Sequence, residues 1–360
     1  MSKAPYGNDP AKIERYKAFW SRADVKRPLV GFTFVGWFPL GEFSACNSWQ
    51  SSKYLTPEII DPADFLEDHV RMLLEGEKID DDLLRGAGPT AVAVPFLPGV
   101  VGCKMRILPD NVMGEERNLS WEDAFKVRFD PQHPWFRKYV EFGQALAARA
   151  QGQFPISHNA DLGPTDLHAV LRGHSQSILD LSDEPEKSAE LLAQMGEIFC
   201  AFTDEYWKCI PCFHGGYYDG QYSLWSPGPI VRMQEDATAV YSPDLYRKLV
   251  QPVDRKLARH FASAFIHLHS TSMFLLDAFL EIEEIRCFEI NNDVSGPPLK
   301  NMVGYFQTVQ KAQRPLLIRG SFSPEELRML MDSLEPRGLF LNIMVSKRDE
   351  IDALRPLVGM

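Results

Sequence analysis

Apolar runs of strand length alternate with helix-forming stretches through most of this chain, and few folds accommodate that alternation. The runs begin at Leu29, Ala91, Phe154, Phe213, Phe265, Arg286, Pro315 and Leu339. Amphipathic stretches start at Pro164, Pro185, Pro243, Met273, Pro298, Pro324 and Lys347; most of these are prolines, which suit the first turn of a helix. Strands joined through helices pair in parallel, because a parallel pair needs a long crossover. Eight such units predict an α/β fold closed into a (β/α)8 TIM barrel, with an N-terminal helical extension and long βα loops. An open doubly wound sheet is the alternative, but no Gly-x-Gly-x-x-Gly follows the first run and no Walker-type loop occurs.

The first 27 residues form the extension. Asn8-Asp9-Pro10 followed by Ile13, Tyr16, Phe19 and Trp20 predicts a capped amphipathic helix, which Pro28 prevents from continuing. Residues 36–54 carry Trp37, Phe38, Phe43 and Trp49 among Gly, Pro, Ser and Asn, the make-up of a functional loop. Thr56-Pro57 opens a predicted helix with Ile60, Phe65, Val70 and Leu74 on its apolar side, and another spans 135–150. No repeat and no low-complexity linker divides the chain, so residues 1–360 are read as one domain.

A net charge of -11 without any Lys/Arg-rich run argues against a nucleic-acid or anionic-membrane partner. No apolar stretch approaches the ~20 residues that span a bilayer, and a cytoplasmic protein is expected. The six cysteines are scattered, unlike the framework of a small secreted domain. Cys209 and Cys212 close a long amphipathic helix and are expected to be buried, inert thiols.

The chemistry concentrates at Phe265-Ile-His-Leu-His-Ser270. Side chains alternate along a strand, so His267 and His269 share one face, ~6–7 Å apart at Cα. Two imidazoles so placed chelate one divalent ion or bracket one substrate oxygen, and barrel strand ends are where such groups work. The plainer reading is a pair of hydrogen-bonded core histidines. The same alternation turns Glu289 and Asn291 inward on the next strand; Arg319 ends the one after it, and Asn342 is the inward polar residue of the last. The stretch Tyr217–Gly228, with Tyr222 and Trp225, supplies an aromatic platform, followed by the acids Glu235 and Asp236 for acid/base or ligand roles. Catalysis is assigned to His267, His269, Asp236 and Glu289. Substrate contact is assigned to Trp37, Asp161, Tyr217, Tyr222, Trp225, Asn291, Arg319 and Asn342. No Gly-x-Ser-x-Gly elbow supports a serine hydrolase.

Several stretches resemble the uroporphyrinogen decarboxylase superfamily, which includes that decarboxylase and cobalamin- or thiol-linked methyltransferases. They are Asp161-Leu-Gly-Pro164 with Leu171-Arg-Gly173 and Leu179-Asp-Leu-Ser-Asp-Glu-Pro185; Glu235-Asp-Ala-Thr-Ala-Val-Tyr-Ser-Pro243; His267-Leu-His-Ser270; and Arg319-Gly-Ser-Phe-Ser-Pro324. The resemblance implies a (β/α)8 barrel and, from the methyltransferase branch, a zinc held by a His-x-Cys pair and a last-strand Cys. Here His267 matches the first ligand, His269 replaces the Cys and Asn342 stands on the last strand. Glu235 or Glu289 then completes the zinc site with His267 and His269. The decarboxylase's Arg-Gln-Ala-Gly-Arg loop has no counterpart around Phe34 to Phe43, which argues against uroporphyrinogen as substrate. The implied activity is methyl transfer or demethylation of a small polar or aromatic molecule, with a thiol or a cobalamin carried by a corrinoid protein partner, in a homodimer. The alternatives are a metal-free decarboxylase or carbon–carbon lyase with Arg319 on a carboxylate, and a non-catalytic binding barrel.

Overall fold

The computed structural model describes residues 4–34, 39–89, 95–159 and 161–360. Among them twelve strands form: β1 (Leu29–Phe34), β2 (Tyr54–Leu55), β3 (Met105–Ile107), β4 (Val112–Gly114), β5 (Ser157–His158), β6 (Tyr217–Asp219), β7 (Leu224–Ser226), β8 (Ile230–Gln234), β9 (Ser263–Leu268), β10 (Cys287–Asn291), β11 (Leu316–Gly320) and β12 (Leu339–Val345). Six of them make the central sheet, in the order β1-β12-β11-β10-β9-β8, with every pair parallel. Every residue of β9 to β12 is buried, as expected of a parallel sheet covered on both faces.

Short pairings occupy the space between the two edges of this sheet. On one side the amide of Asp82 donates to the Val30 carbonyl, and Ala87 bridges Ile156 in parallel. On the other, β5 pairs in parallel with β6, which packs against β8 and turns back antiparallel through β7. The architecture is α/β and TIM-like, though the strand pairing of the described residues is not continuous around it. β2, β3 and β4 form a separate antiparallel sheet, whose Leu55, Met105 and Val112 join the same hydrophobic core.

The N-terminal helix, Ala11–Trp20, forms where the sequence places it. It plugs the end of the sheet at which the strands begin. Tyr16 and Phe19 meet Phe340 edge-on, Tyr16 Oη donates to the Ser223 carbonyl at 2.7 Å, and Trp20 Nε1 donates to that of Trp225 at 2.8 Å. Helices also follow Pro164, Pro185, Pro298 and Pro324 as expected.

Several expectations change. The fourth run forms its strand at β6, later than Phe213, which only bridges Gly216. The stretch between the aromatic platform and Glu235, where no strand is expected, contains β8, a full member of the central sheet. Its inward side chains include Arg232 and Gln234, which mask the apolar signal of Ile230, Val231 and Met233. Of the run expected from Ala91 to Phe96, residues 91–94 lie outside the described residues, and Phe96 opens the helix Phe96–Val100. The helix expected from Pro57 is broken into the 3-10 turns Pro57–Ile59 and Pro62–Phe65 before Leu66–Glu77 begins. Pro62 forces Asp61 into an extended conformation, φ -99 and ψ 111, as a residue before proline prefers; Leu74 ends up exposed. Cys209 and Cys212 are both exposed: the buried face of helix Pro185–Cys209 runs through Phe202, Tyr206 and Trp207 and turns away before Cys209. No helix of the described residues is long and apolar enough to cross a membrane.

Candidate active site

His267 lies at the C-terminal end of β9, in register with Gln234 of β8 and Glu289 of β10. Residues in register on parallel strands share a face, so these three form a polar row where the strands end. His267 Nδ1 is 2.5 Å from Glu289 Oε2 and 2.8 Å from the Tyr222 hydroxyl. Its Nε2 faces Nε2 of His269 at 3.3 Å. His269 in turn places Nδ1 2.9 Å from Asp293 Oδ1, while Asp293 Oδ2 accepts from the Ser270 amide and hydroxyl, each at 2.8 Å.

Asp236 completes the group. Its Oδ2 stands 3.8 Å from His269 Nε2 and accepts from Gln234 Nε2 at 2.6 Å. One ligand atom from each of Asp236, His267 and His269 lies within 4.8 Å of the others. Two imidazole nitrogens and a carboxylate oxygen suit zinc with a coordination position left open.

The electrostatics agree with that donor set. Burial, with Arg232 nearby, holds His267 well below the ordinary imidazole range. Burial also pushes the Glu289 carboxyl up to about 8, against the pull of Arg319 and Arg232. Both partners are driven to their uncharged forms, so their contact is a neutral hydrogen bond rather than an ion pair. The hydrogen bond to Asp293 raises His269 instead. Burial opposes ionisation of Asp293, but the hydrogen bonds from His269 and Ser270 outweigh it and keep the carboxylate charged. Each imidazole thus has Nδ1 on a carboxyl group and Nε2 turned to the other ring. With both Nδ1 atoms donating, two lone pairs would meet at Nε2 unless a cation lies between them. His269, the more basic ring, provides a proton for that position; a divalent metal meets the same need.

The loop preceding β8 carries Tyr222, fully buried, with its ring 5.5 Å from the Arg319 guanidinium. Asn291 is buried with neither amide atom hydrogen-bonded. It shares with Arg232, Gln234, Asp236, His267 and His269 a cavity of about 400 Å³. Asp161 is buried and accepts from the Leu97 amide at 3.4 Å; burial pushes it up to about 7.

Other expected residues lie apart from this group. Glu235 points away from the histidines, its Oε2 accepting from the Thr165 amide and hydroxyl at 2.9 and 2.5 Å; Asp236 takes the place beside them. Asn342 links the Thr33 hydroxyl to the Tyr222 carbonyl. Trp225 donates to the Phe213 carbonyl and packs near Tyr16, while Tyr217 stands against Trp207. Trp37 lies outside the described residues. Arg232, Gln234 and Asp293 join the site without having been expected there from the sequence. Asp293 keeps the parity of Glu289 and Asn291, which was its available signal.

No protein-family model matches the chain, and no curated protein does. Among solved structures, a methyltransferase from Methanosarcina mazei matches with a TM-score of 0.60 over 95% of this chain and 96% of that one, at 13% sequence identity. At that identity the likeness is one of fold. It agrees with the barrel architecture implied by the sequence motifs, and assigns no residue.

Proposed function

We propose that this chain is a zinc-dependent methyltransferase or demethylase acting on a small polar or aromatic substrate, with Asp236, His267 and His269 as the zinc ligands. One observation carries the reading: two imidazoles with their Nδ1 atoms on carboxyl groups face each other through Nε2 at 3.3 Å beside a third ligand. When bound, zinc supplies Lewis acidity to the oxygen or sulfur that bears or accepts the methyl group.

The chain's own residues have separable tasks. Asp293 fixes the His269 ring, and Glu289 with Tyr222 fixes that of His267, so both Nε2 atoms stay aimed at one point. Asp166 Oδ1 accepts from the Ala237 amide at 2.9 Å and so steadies the turn that presents Asp236. Glu289 Oε2 accepts the Nδ1 proton of His267, which leaves the Nε2 lone pair for the metal. The family resemblance supports a thiol or a corrinoid on a separate protein as the other methyl carrier.

Metal analysis tests the reading. Purified or reconstituted protein is expected to hold about one zinc per chain, and His267→Ala and His269→Ala to hold little. Wild-type protein that stays below about a tenth of an equivalent after reconstitution would remove the zinc-dependent mechanism. Carbon dioxide release from a candidate acid, with no methyl product, would favour decarboxylation instead.

A further inference from the structure

Arg232 sits in the middle of β8, two residues before Gln234 and on the same face, one layer deeper than the polar row containing His267. It is only 4% exposed. Its guanidinium stands 5.9 Å from the Tyr222 ring centroid, near that hydroxyl, but forms no ion pair among the described residues, and its Nε has no hydrogen-bond acceptor. A buried guanidinium presents five donors in a planar fork and is strongly disfavoured without an anion to receive them. Asn291, at 1% exposure, has neither amide atom hydrogen-bonded. Both side chains line the cavity that also holds Asp236, His267 and His269. Two deeply buried polar groups on one cavity wall, with Nε of Arg232 and both amide atoms of Asn291 lacking partners, are a built binding surface.

We infer that Arg232 and Asn291 receive the carboxylate of the substrate, so that the molecule processed at the Asp236–His267–His269 centre is a small monocarboxylic acid. This rests on the methyltransferase reading for its chemistry, though not for the anion site itself. The fork of Arg232 matches the two oxygens of a carboxylate, and the Asn291 amide donates to one of them. The charge around it selects a monoanion over phosphate. Asp219 and Asp236 already act on Arg232 from a distance, and a dianion would add repulsion that one guanidinium cannot offset. A cavity of about 400 Å³ is in the size range that buries a small organic acid. The acid's far end then reaches the metal ligands, where a methoxy or methylthio group would lie.

Calorimetric titration of the full-length protein, with and without zinc, tests this with four acid–amide pairs: acetate, methoxyacetate, 3-methoxypropionate and 4-methoxybenzoate against their amides, and inorganic phosphate as a further probe. At least one acid is expected to bind tenfold or more tightly than its amide and than phosphate. Arg232→Met is expected to abolish that preference, and Arg232→Lys to keep part of it, both with unchanged zinc content. If no acid outbinds its amide, if phosphate binds as well as the best acid, or if Arg232→Met retains the wild-type preference, the inference is overturned. Should Arg232→Met fail to fold, the wild-type ratio and Arg232→Lys decide. Loss of the zinc reading would appear as absent metal with the acid preference intact; loss of this inference would appear as the reverse.

Discussion

His269 and Asp293 meet through Nδ1 and Oδ1 at 2.9 Å, and that contact sets which ring nitrogen of His269 faces the cavity. Asp293→Asn keeps the shape but removes the charge that favours an Nδ1 proton. Zinc affinity, measured by competition with a chelating dye, should fall by about 10–100-fold, the usual effect of losing such a partner. Unchanged affinity in that variant would mean that the ring is held by packing alone.

Glu235 and Asp254 form a buried carboxyl pair behind the site. Tyr246 Oη donates to Asp254 Oδ2 at 2.6 Å. Burial raises both groups: Asp254 to about 7, and Glu235 well above its ordinary value with Asp254 and Asp166 adding to it. In the unfolded chain Asp254 returns to about 3.9. The folded state therefore holds more protons between these values, and the contribution of Asp254 to stability is complete below pH ~4 and lost as pH rises through ~7. Asp254→Asn removes the titration. Urea unfolding should show the variant gaining on wild type from pH 5 to pH 8; a difference that is independent of pH, or that moves in favour of wild type as pH rises, would contradict the raised Asp254 carboxyl.

The site was legible where side-chain alternation governs and obscure where it lapses. His267 follows from strand parity alone, and so do Glu289 and Asn291. Glu235 and Asp236 do not, because the chain leaves β8 at Gln234 and Glu235 adopts φ -132 and ψ 55. That turn rotates the sequence off the strand face, so that Asp236 faces the histidines and Glu235 faces Thr165. β8 escapes an apolar pattern because a strand that lines a cavity can carry Arg and Gln on its inner face. Short strands such as β5 depend on neighbouring chain rather than their own residues, and local pattern says little about them. The helices were easier: proline at the first turn and an apolar stripe are both local signals.

Tyr16 ties the N-terminal helix to two distant segments. Its hydroxyl donates to the Ser223 carbonyl at 2.7 Å and accepts from the Leu84 amide at 3.2 Å, with the side chain fully buried. Tyr16→Phe keeps the ring contacts and leaves both backbone groups without that partner. Stability should fall by on the order of 1–3 kcal/mol, read from urea unfolding. Zinc content should not change, because Tyr16 touches none of Asp236, His267 and His269, and the neighbouring Tyr222 keeps its own bonds to Asn342 and His267.

Gly163 bears on Asp236, the proposed third zinc ligand, more directly than its position suggests. A Cβ there would lie 1.7 Å from the Gln234 carbonyl oxygen and 2.6 Å from Glu235 Oε1. Its φ of -73 is ordinary, so the demand is for space rather than conformation. The residues that follow grip the same turn: Thr165 holds Glu235, and Asp166 holds the Ala237 amide. Gly163→Ala must therefore push the start of helix Pro164–Arg172 away from residues 234–237, and Asp236 moves with them. A displacement of this kind should lower zinc affinity at least tenfold and reduce the thermal midpoint, although Gly163 is not itself a ligand. Gly304 is the matched control, since an added Cβ there meets nothing within 4 Å. Within helix Leu299–Lys311, Gly304→Ala should be neutral or slightly stabilising. If Gly163→Ala binds zinc as tightly as Gly304→Ala does, the turn presenting Asp236 is not held in place by this helix.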